Sequence, residues 1–87
     1  MLFGEYLINK KIIDSDQLED ALKIQKVNPQ IKIGEIVVSQ GSITQMDLIN
    51  LIESYIKETG ANVTEMSEWL KQEEADALIR KLKAEFI

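Results

Sequence analysis

The residues that most often carry out catalysis are missing from this sequence. It contains no histidine and no cysteine, which removes the commonest general base, the thiol nucleophile and the nitrogen and sulfur ligands that zinc prefers. Its acidic pairs, Glu19 with Asp20 and Glu73 with Glu74, are adjacent in the sequence, so the two carboxylates of each pair diverge on a helix. The glycines do not form a phosphate-binding loop with its Lys-Ser/Thr pair. We therefore expect no enzymatic activity, no cofactor and no metal.

Composition indicates one small soluble domain. The 87 residues, 45% of them hydrophobic, suffice for a modest core, and the absence of cysteine fits a reducing compartment. The N-terminus has no basic stretch followed by an apolar run, and no apolar stretch approaches the ~20 residues of a membrane span. We expect a cytoplasmic protein without a signal peptide or membrane insertion.

Charge argues against nucleic acid as the main partner. The net charge is -5, whereas affinity for a phosphate backbone depends on clustered Lys and Arg. Residues 1–43 carry five Lys against six acids, and residues 44–87 carry five bases against nine acids, which gives net charges of -1 and -4. The N-terminal part therefore tolerates an anionic ligand better.

An internal repeat organises residues 2–55. Residues 2–25 and 32–55 align at an offset of 30, with identical residues at Gly4/Gly34, Glu5/Glu35, Ile13/Ile43 and Leu18/Leu48. The apolar positions also agree along both copies, which is stronger evidence than the four identities. We predict a duplicated unit of a short helix, a tight turn and a longer helix.

Capping residues support these helices. Gly41 is suited to end a helix in the left-handed conformation, and Thr44 is suited to cap the next, with Ile43 packing on Leu48. Asp14 takes the place of Thr44 in the first unit. The sequence therefore predicts an all-α fold, with the duplicated region over residues 1–58.

A C-terminal helical segment of the same domain is predicted over residues 59–87. Gly60 ends the preceding helix, and Thr64 is the expected N-cap of the next one. Glu73 and Glu74 interrupt the apolar stripe, so the segment forms either two short helices or one long helix. The stripe comprises Met66, Trp69, Leu70, Leu78, Ile79, Leu82 and Phe86.

Over residues 2–56 the two units resemble the N-terminal domain of the ATPases of type II secretion and type IV pilus assembly, the MshEN domain. The first unit matches at Gly4, Leu7, Ile8, Ile13, Leu18, Ala21, Leu22 and Gln25. The second unit matches at Lys32, Ile33, Gly34, Val37, Val38, Gly41, Ile43, Leu48 and Ile52. No ATPase core is present, so the chain is either a stand-alone protein or a domain excised from a larger ATPase.

The resemblance implies two kinds of partner, because some members of that family bind cyclic di-GMP and others dock a protein of the secretion or pilus machinery. The nucleotide-binding positions that it implies are Gly4, Leu18, Leu22, Gln25, Lys32, Gly34, Gly41, Leu48 and Ile52. Several positions depart from the family pattern. Leu2 replaces a basic residue, Lys11 a glycine and Tyr55 the closing glutamine, while Lys32 cannot form a bidentate guanidinium contact.

We therefore expect a bacterial, non-catalytic adaptor or regulatory module that binds a protein of a secretion, pilus or motility system. An amphipathic C-terminal helix would serve as docking element or homodimer seam, although Trp69 with Met66 is more typical of a core. The candidate interaction residues are Met66, Trp69, Leu82 and Phe86.

Two alternatives stay open. The first is a cyclic di-GMP receptor. The second is a DNA-binding helix-turn-helix protein, because the turn at Gly41 precedes an amphipathic helix with Gln45 near its N-terminus. Asp47 accompanies that glutamine and Arg80 is the only arginine of the chain, so we do not expect nucleic-acid binding.

Overall fold

The structure is a computed structural model that describes residues 3–85, and it confirms the all-helical class. The helices are α1 (Phe3–Asn9), α2 (Ser15–Val27), α3 (Ile33–Ser39), α4 (Gln45–Thr59) and α5 (Gln72–Glu85), with a 3₁₀ turn at Val63–Met66 between the last two. No strand occurs within these described residues. None of the helices in residues 3–85 is long and apolar enough to cross a lipid bilayer.

Side-chain caps start the longer helices at the predicted residues. The Asp14 carboxylate accepts a hydrogen bond of 2.7 Å from the Gln17 backbone N–H at the start of α2. At the start of α4, Thr44 and Asp47 form a reciprocal capping box, which satisfies two backbone donors that the helix leaves unpaired. Gly60 ends α4 in the left-handed conformation, with φ 73°. The predicted caps at Asp14, Thr44 and Gly60 are therefore confirmed.

The backbone of the first four helices recurs at the predicted offset. α1 and α3 span equivalent residues 30 positions apart, and α2 and α4 begin 30 positions apart. Gly41 in the second turn has φ 90°, and Lys11 in the first turn has φ 61° although it is not a glycine. The recurrence agrees with a duplicated unit, whose common origin stays a prediction.

An aromatic cluster joins the N-terminal helices to the C-terminal segment. The Phe3 ring lies edge-on to Trp69 and to Tyr55, with ring centroids 4.8 Å and 5.3 Å apart. Tyr6 meets Tyr55 in a similar edge-on contact at 5.1 Å. Edge-to-face pairs of this kind add to the stabilisation that burial itself gives. Met66, Trp69 and Leu70 are thus part of one core with the helices that precede them.

The start of the C-terminal helix differs from the prediction. Thr64 lies inside the 3₁₀ turn and is not the N-cap of a long helix, which corrects our assignment. α5 begins at Gln72, where the backbone N–H of Lys71 donates a 2.9 Å hydrogen bond to Glu74 Oε1. The two acidic residues that interrupt the apolar stripe therefore lie in the first turn of α5, where carboxylates favour the helix dipole.

A buried carboxylate connects α4 with α5. Glu53 is 8% exposed, and its two oxygens lie 2.8 Å from Lys81 Nζ and 3.1 Å from Lys57 Nζ. The hydrogen bonds from Lys81 and Lys57 hold the pKa of Glu53 below its usual range. Lys57 also pairs with Glu85 at 2.8 Å. These contacts hold α5 against the body of the domain.

Candidate functional site

A cleft opens between α1, α2 and the segment that contains the 3₁₀ turn, and we call it the α2 cleft. Its main chamber has a volume of about 510 Å³ and is mostly apolar, being lined by Phe3, Gly4, Leu18, Leu22, Ile33, Tyr55, Met66 and Trp69. The remaining lining residues of this chamber are acidic, namely Glu5, Glu65 and Glu68. Aromatic and aliphatic walls with a few polar groups are typical of a ligand site.

A second, more polar chamber continues the α2 cleft and shares Leu22 and Glu68 with the first. It has a volume of about 440 Å³, and its other lining residues are Gln25, Lys26, Pro29, Lys32 and Ser67. The α2 cleft therefore has an apolar chamber with carboxylates at its rim and a polar chamber with two lysines. Leu22, 46% exposed, lies where the two chambers meet.

Five of the nine predicted nucleotide-binding residues line this cleft. Gly4, Leu18 and Leu22 line the apolar chamber, and Gln25 and Lys32 line the polar one with Leu22. The side-chain amide of Gln25 also donates a 3.4 Å hydrogen bond to the Ile31 carbonyl, which fixes the chain between α2 and α3. The structure thus brings together the predicted residues of the first unit with the basic residue of the second.

The C-terminal segment covers the predicted glycine of the second unit. A Cβ atom on Gly34 would lie 2.3 Å from the Trp69 carbonyl oxygen and 2.8 Å from Leu48 Cδ2. Next to it, the Ile33 backbone N–H donates a 2.8 Å hydrogen bond to the Glu68 carbonyl. The prediction for Gly34 is corrected, because its close approach serves the chain's own backbone and leaves no space for a nucleotide there.

The other predicted positions of the second unit also lie outside the cleft. Leu48 and Ile52 are both 0% exposed, and a side chain with no accessible surface cannot contact a ligand, so both are core residues. Gly41 lies in an exposed turn with nothing within 4 Å of a Cβ built on it. Its φ of 90° explains the glycine without a ligand.

The predicted protein-interaction residues are mostly buried. Met66 is 2%, Trp69 7% and Leu82 9% exposed, so all three belong to the core, which corrects their assignment to an exposed docking element. Met66 and Trp69 line the apolar chamber. Phe86 lies outside the described residues. The more typical role of Trp69 as a core residue is confirmed.

The rim carboxylates and Lys26 are residues that the sequence did not single out. Glu5, Glu65, Glu68 and Lys26 form no salt bridge with any other residue in the described part of the chain. Lys32 forms none either, although its charge contributes to the lowered pKa of Glu35. Helical spacing gave a hint of Lys26 alone, because a residue four positions after Leu22 lies on the same face of α2. Glu5, Glu65, Glu68 and Lys26 are exposed, and Lys32 is half-buried.

The groups with clearly shifted pKa values lie outside the α2 cleft lining. Burial and the hydrogen bond to Glu58 raise the pKa of Tyr6 to about 12, so its phenol stays protonated and acts as a donor. Lys71 lies 2.7 Å from Glu35 and, by its hydrogen bond, lowers the pKa of that carboxyl. Among residues 3–85 no three acidic side chains come together as a metal site would require.

Comparison of the chain with protein-family models, with curated proteins and with solved structures gave no match. The resemblance of residues 2–56 to the MshEN domain therefore stays a prediction based on the residues themselves.

Proposed function

We propose that this chain is a non-catalytic module that binds a segment of another protein in the α2 cleft. The observation that carries the proposal is the exposure of Leu22. It is 46% exposed above an aromatic floor, whereas Ile52, its equivalent at the repeat offset, is 0% exposed. An open apolar surface with polar edges is typical of a protein-binding site.

The biological setting of the proposal comes from the resemblance. If residues 2–56 are an MshEN-like domain, the chain acts in the bacterial cytoplasm as an adaptor or regulator of a secretion, pilus or motility system. In the second unit the Trp69 backbone packs on Gly34 and Ile52 is 0% exposed, whereas in the first unit Leu22 is 46% exposed. This asymmetry supports one binding surface per chain rather than a ligand shared equally by both units.

A library of phage-displayed random peptides tests the proposal with a matched pair of variants. Leu22→Asp places a charge in the α2 cleft, and Met46→Asp places the same charge on another surface, where Met46 is 73% exposed. Both side chains are exposed enough that the fold should persist, which circular dichroism checks. We expect selected peptides to bind the wild type and Met46→Asp and to lose affinity for Leu22→Asp by at least about tenfold. Equal binding to both variants would contradict the proposal.

Cyclic di-GMP is the second candidate ligand, because Gly4, Leu18, Leu22, Gln25 and Lys32 line one cleft. Titration calorimetry with cyclic di-GMP, and with GMP as control, tests it directly. A receptor would show saturable binding that Lys32→Ala abolishes while the helical spectrum is kept. Binding that survives Lys32→Ala would contradict this site.

A further inference from the structure

We infer that the partner segment carries Lys or Arg next to a bulky apolar side chain, and that it lies in the α2 cleft with its cationic end over the apolar chamber. The inference rests on the proposed function, because it names the chemistry of the protein segment. Two properties of the α2 cleft support it, the apolar floor and the distribution of charge along its length.

The apolar chamber defines the anchor. Phe3, Tyr55 and Trp69 form its aromatic part and Leu22 its exposed edge. A volume of about 510 Å³ exceeds that of any single residue's side chain, so one bulky aliphatic or aromatic side chain enters with part of its flanking backbone. Burial of such an anchor in a water-excluding pocket is the commonest source of binding energy at protein interfaces.

The charges define the residues that flank the anchor. The charged residues that line the apolar chamber are Glu5 on α1, Glu65 within the 3₁₀ turn and Glu68 just after it. None of them forms a salt bridge with a cation in residues 3–85. A Lys or Arg on the partner would supply that counter-charge. An acidic segment would instead be repelled by these carboxylates and by the net charge of -5.

Lys26 and Lys32 determine the orientation in which the partner segment lies in the α2 cleft. Lys26 and Lys32 line the polar chamber and not the apolar one, Glu68 lines both, and Glu5 and Glu65 line only the apolar chamber. A partner cation near them would meet like charge, so the favourable arrangement places the cation at the opposite end, near Glu5 and Glu65. Complementarity of this kind selects register and orientation more than it raises affinity.

The same charges disfavour two other occupants. A second copy of residues 63–70 would bring its own Glu65 and Glu68 against the carboxylates already present, so the charges do not favour self-association through this segment. A cyclic dinucleotide would bring its two negatively charged phosphates against the same rim carboxylates. Both remain outcomes that the binding test distinguishes.

The test compares charge variants on opposite ends of the cleft. Peptides selected from the random library are measured by fluorescence anisotropy against the wild type, against the double variant Glu5→Gln with Glu65→Gln, and against Lys26→Gln at the opposite end of the cleft. Glu19→Gln is the control, because Glu19 is exposed and lies outside the cleft lining. We expect an excess of Lys and Arg beside the apolar anchor of the peptides. The double variant should bind about three- to tenfold more weakly and with a shallower salt dependence, since exposed pairs contribute modestly. Lys26→Gln removes a like charge from the polar chamber and should bind no more weakly than the wild type, and the control Glu19→Gln should bind within about twofold of the wild type.

Failure of the inference and failure of the proposed function give different results. Peptides that bind in a Leu22-dependent way, but without excess Lys or Arg and with equal affinity for the double variant, would overturn the inference and leave the proposed function standing. Selection of acidic peptides, or affinity that falls with Lys26→Gln instead, would overturn the inferred orientation. If no peptide depends on Leu22, or cyclic di-GMP binds with Lys32 dependence, the inference fails together with the protein-binding function.

Discussion

Alanine substitution at the two equivalent glycines should have very different consequences. At Gly34 a Cβ would lie 2.3 Å from the Trp69 carbonyl oxygen, which is backbone, so the 66–70 segment has to move. At Gly4 a Cβ would lie 2.8 Å from Leu18 Cδ2, which is the end of a flexible side chain that lines the open cleft. The pair is matched, because each glycine is the second residue of a short helix.

The magnitude is set by these contacts. Overpacking a core costs about 1–3 kcal/mol, and at Gly34 it also strains the 2.8 Å hydrogen bond from Ile33 to Glu68. The helix propensity of alanine over glycine offsets up to about 1 kcal/mol. We expect Gly34→Ala to lower the free energy of unfolding by about 2 kcal/mol, which lowers Tm by roughly 8–16 °C in a domain of this size. Gly4→Ala should change the free energy of unfolding by less than about 0.5 kcal/mol.

The single tryptophan provides the assay. Trp69 is the only Trp in the chain and is 7% exposed, so its emission should shift to longer wavelength in Gly34→Ala before the helices unfold. Thermal circular dichroism of both variants gives the stability difference. If Gly34→Ala unfolds within about 2 °C of the wild type with unchanged emission, the claim that the C-terminal segment covers this glycine is refuted. Equal destabilisation by Gly4→Ala would refute the claim that only the second unit is covered.

Three further predictions concern the helix junctions and are checked by urea unfolding. Glu53→Gln should lower the free energy of unfolding at pH 7 by about 1–2 kcal/mol, because hydrogen bonds to charged groups are lost. The pKa of Glu53 is lowered in the folded state. The stability difference is therefore present above the ordinary carboxyl pKa and disappears as pH falls through the lowered pKa. Lys11→Gly should raise the free energy of unfolding by about 0.5 kcal/mol by relieving a φ of 61°, and Lys11→Ala should not. Thr44→Ala should lower the free energy of unfolding by about 1 kcal/mol, whereas Thr44→Ser should keep most of the wild-type stability.

Three results would contradict these predictions. They are a Glu53→Gln difference that persists unchanged at acidic pH, a Lys11→Ala variant as stable as Lys11→Gly, and a Thr44→Ser variant as unstable as Thr44→Ala.

Local features of the fold were predictable from the sequence because they depend on neighbouring residues. Asp14 and Thr44 cap helices through hydrogen bonds to the third residue after them, and Gly41 and Gly60 take positive φ where helices end. Thr64 carried a similar pattern but lies within a 3₁₀ turn. The segment around it is held by long-range contacts, such as the Ile33 to Glu68 hydrogen bond, and these override local capping preference.

The candidate site was predictable in part, for a related reason. Spacing placed Leu18, Leu22 and Gln25 on one face of α2, and that face lines the cleft. The same spacing placed Leu48 and Ile52 on the equivalent face of α4, yet both are fully buried. Two copies of one pattern therefore differ in exposure because of the segments that pack on them. Residues 59–87 carry no repeat signal, so the sequence does not indicate which copy they cover.

The central claim is that the α2 cleft binds the partner segment, and nuclear magnetic resonance of the ¹⁵N-labelled protein tests it most directly. A Leu22-dependent peptide is titrated into the labelled wild type, and the shifts are mapped. We predict the largest changes at the amides of Gly4 and Leu22 and at the indole N–H of Trp69, all of which line the cleft, with little change at Gly41 and Met46. Largest changes around Gly41 and Met46, with Gly4 and Leu22 unmoved, would contradict the claim.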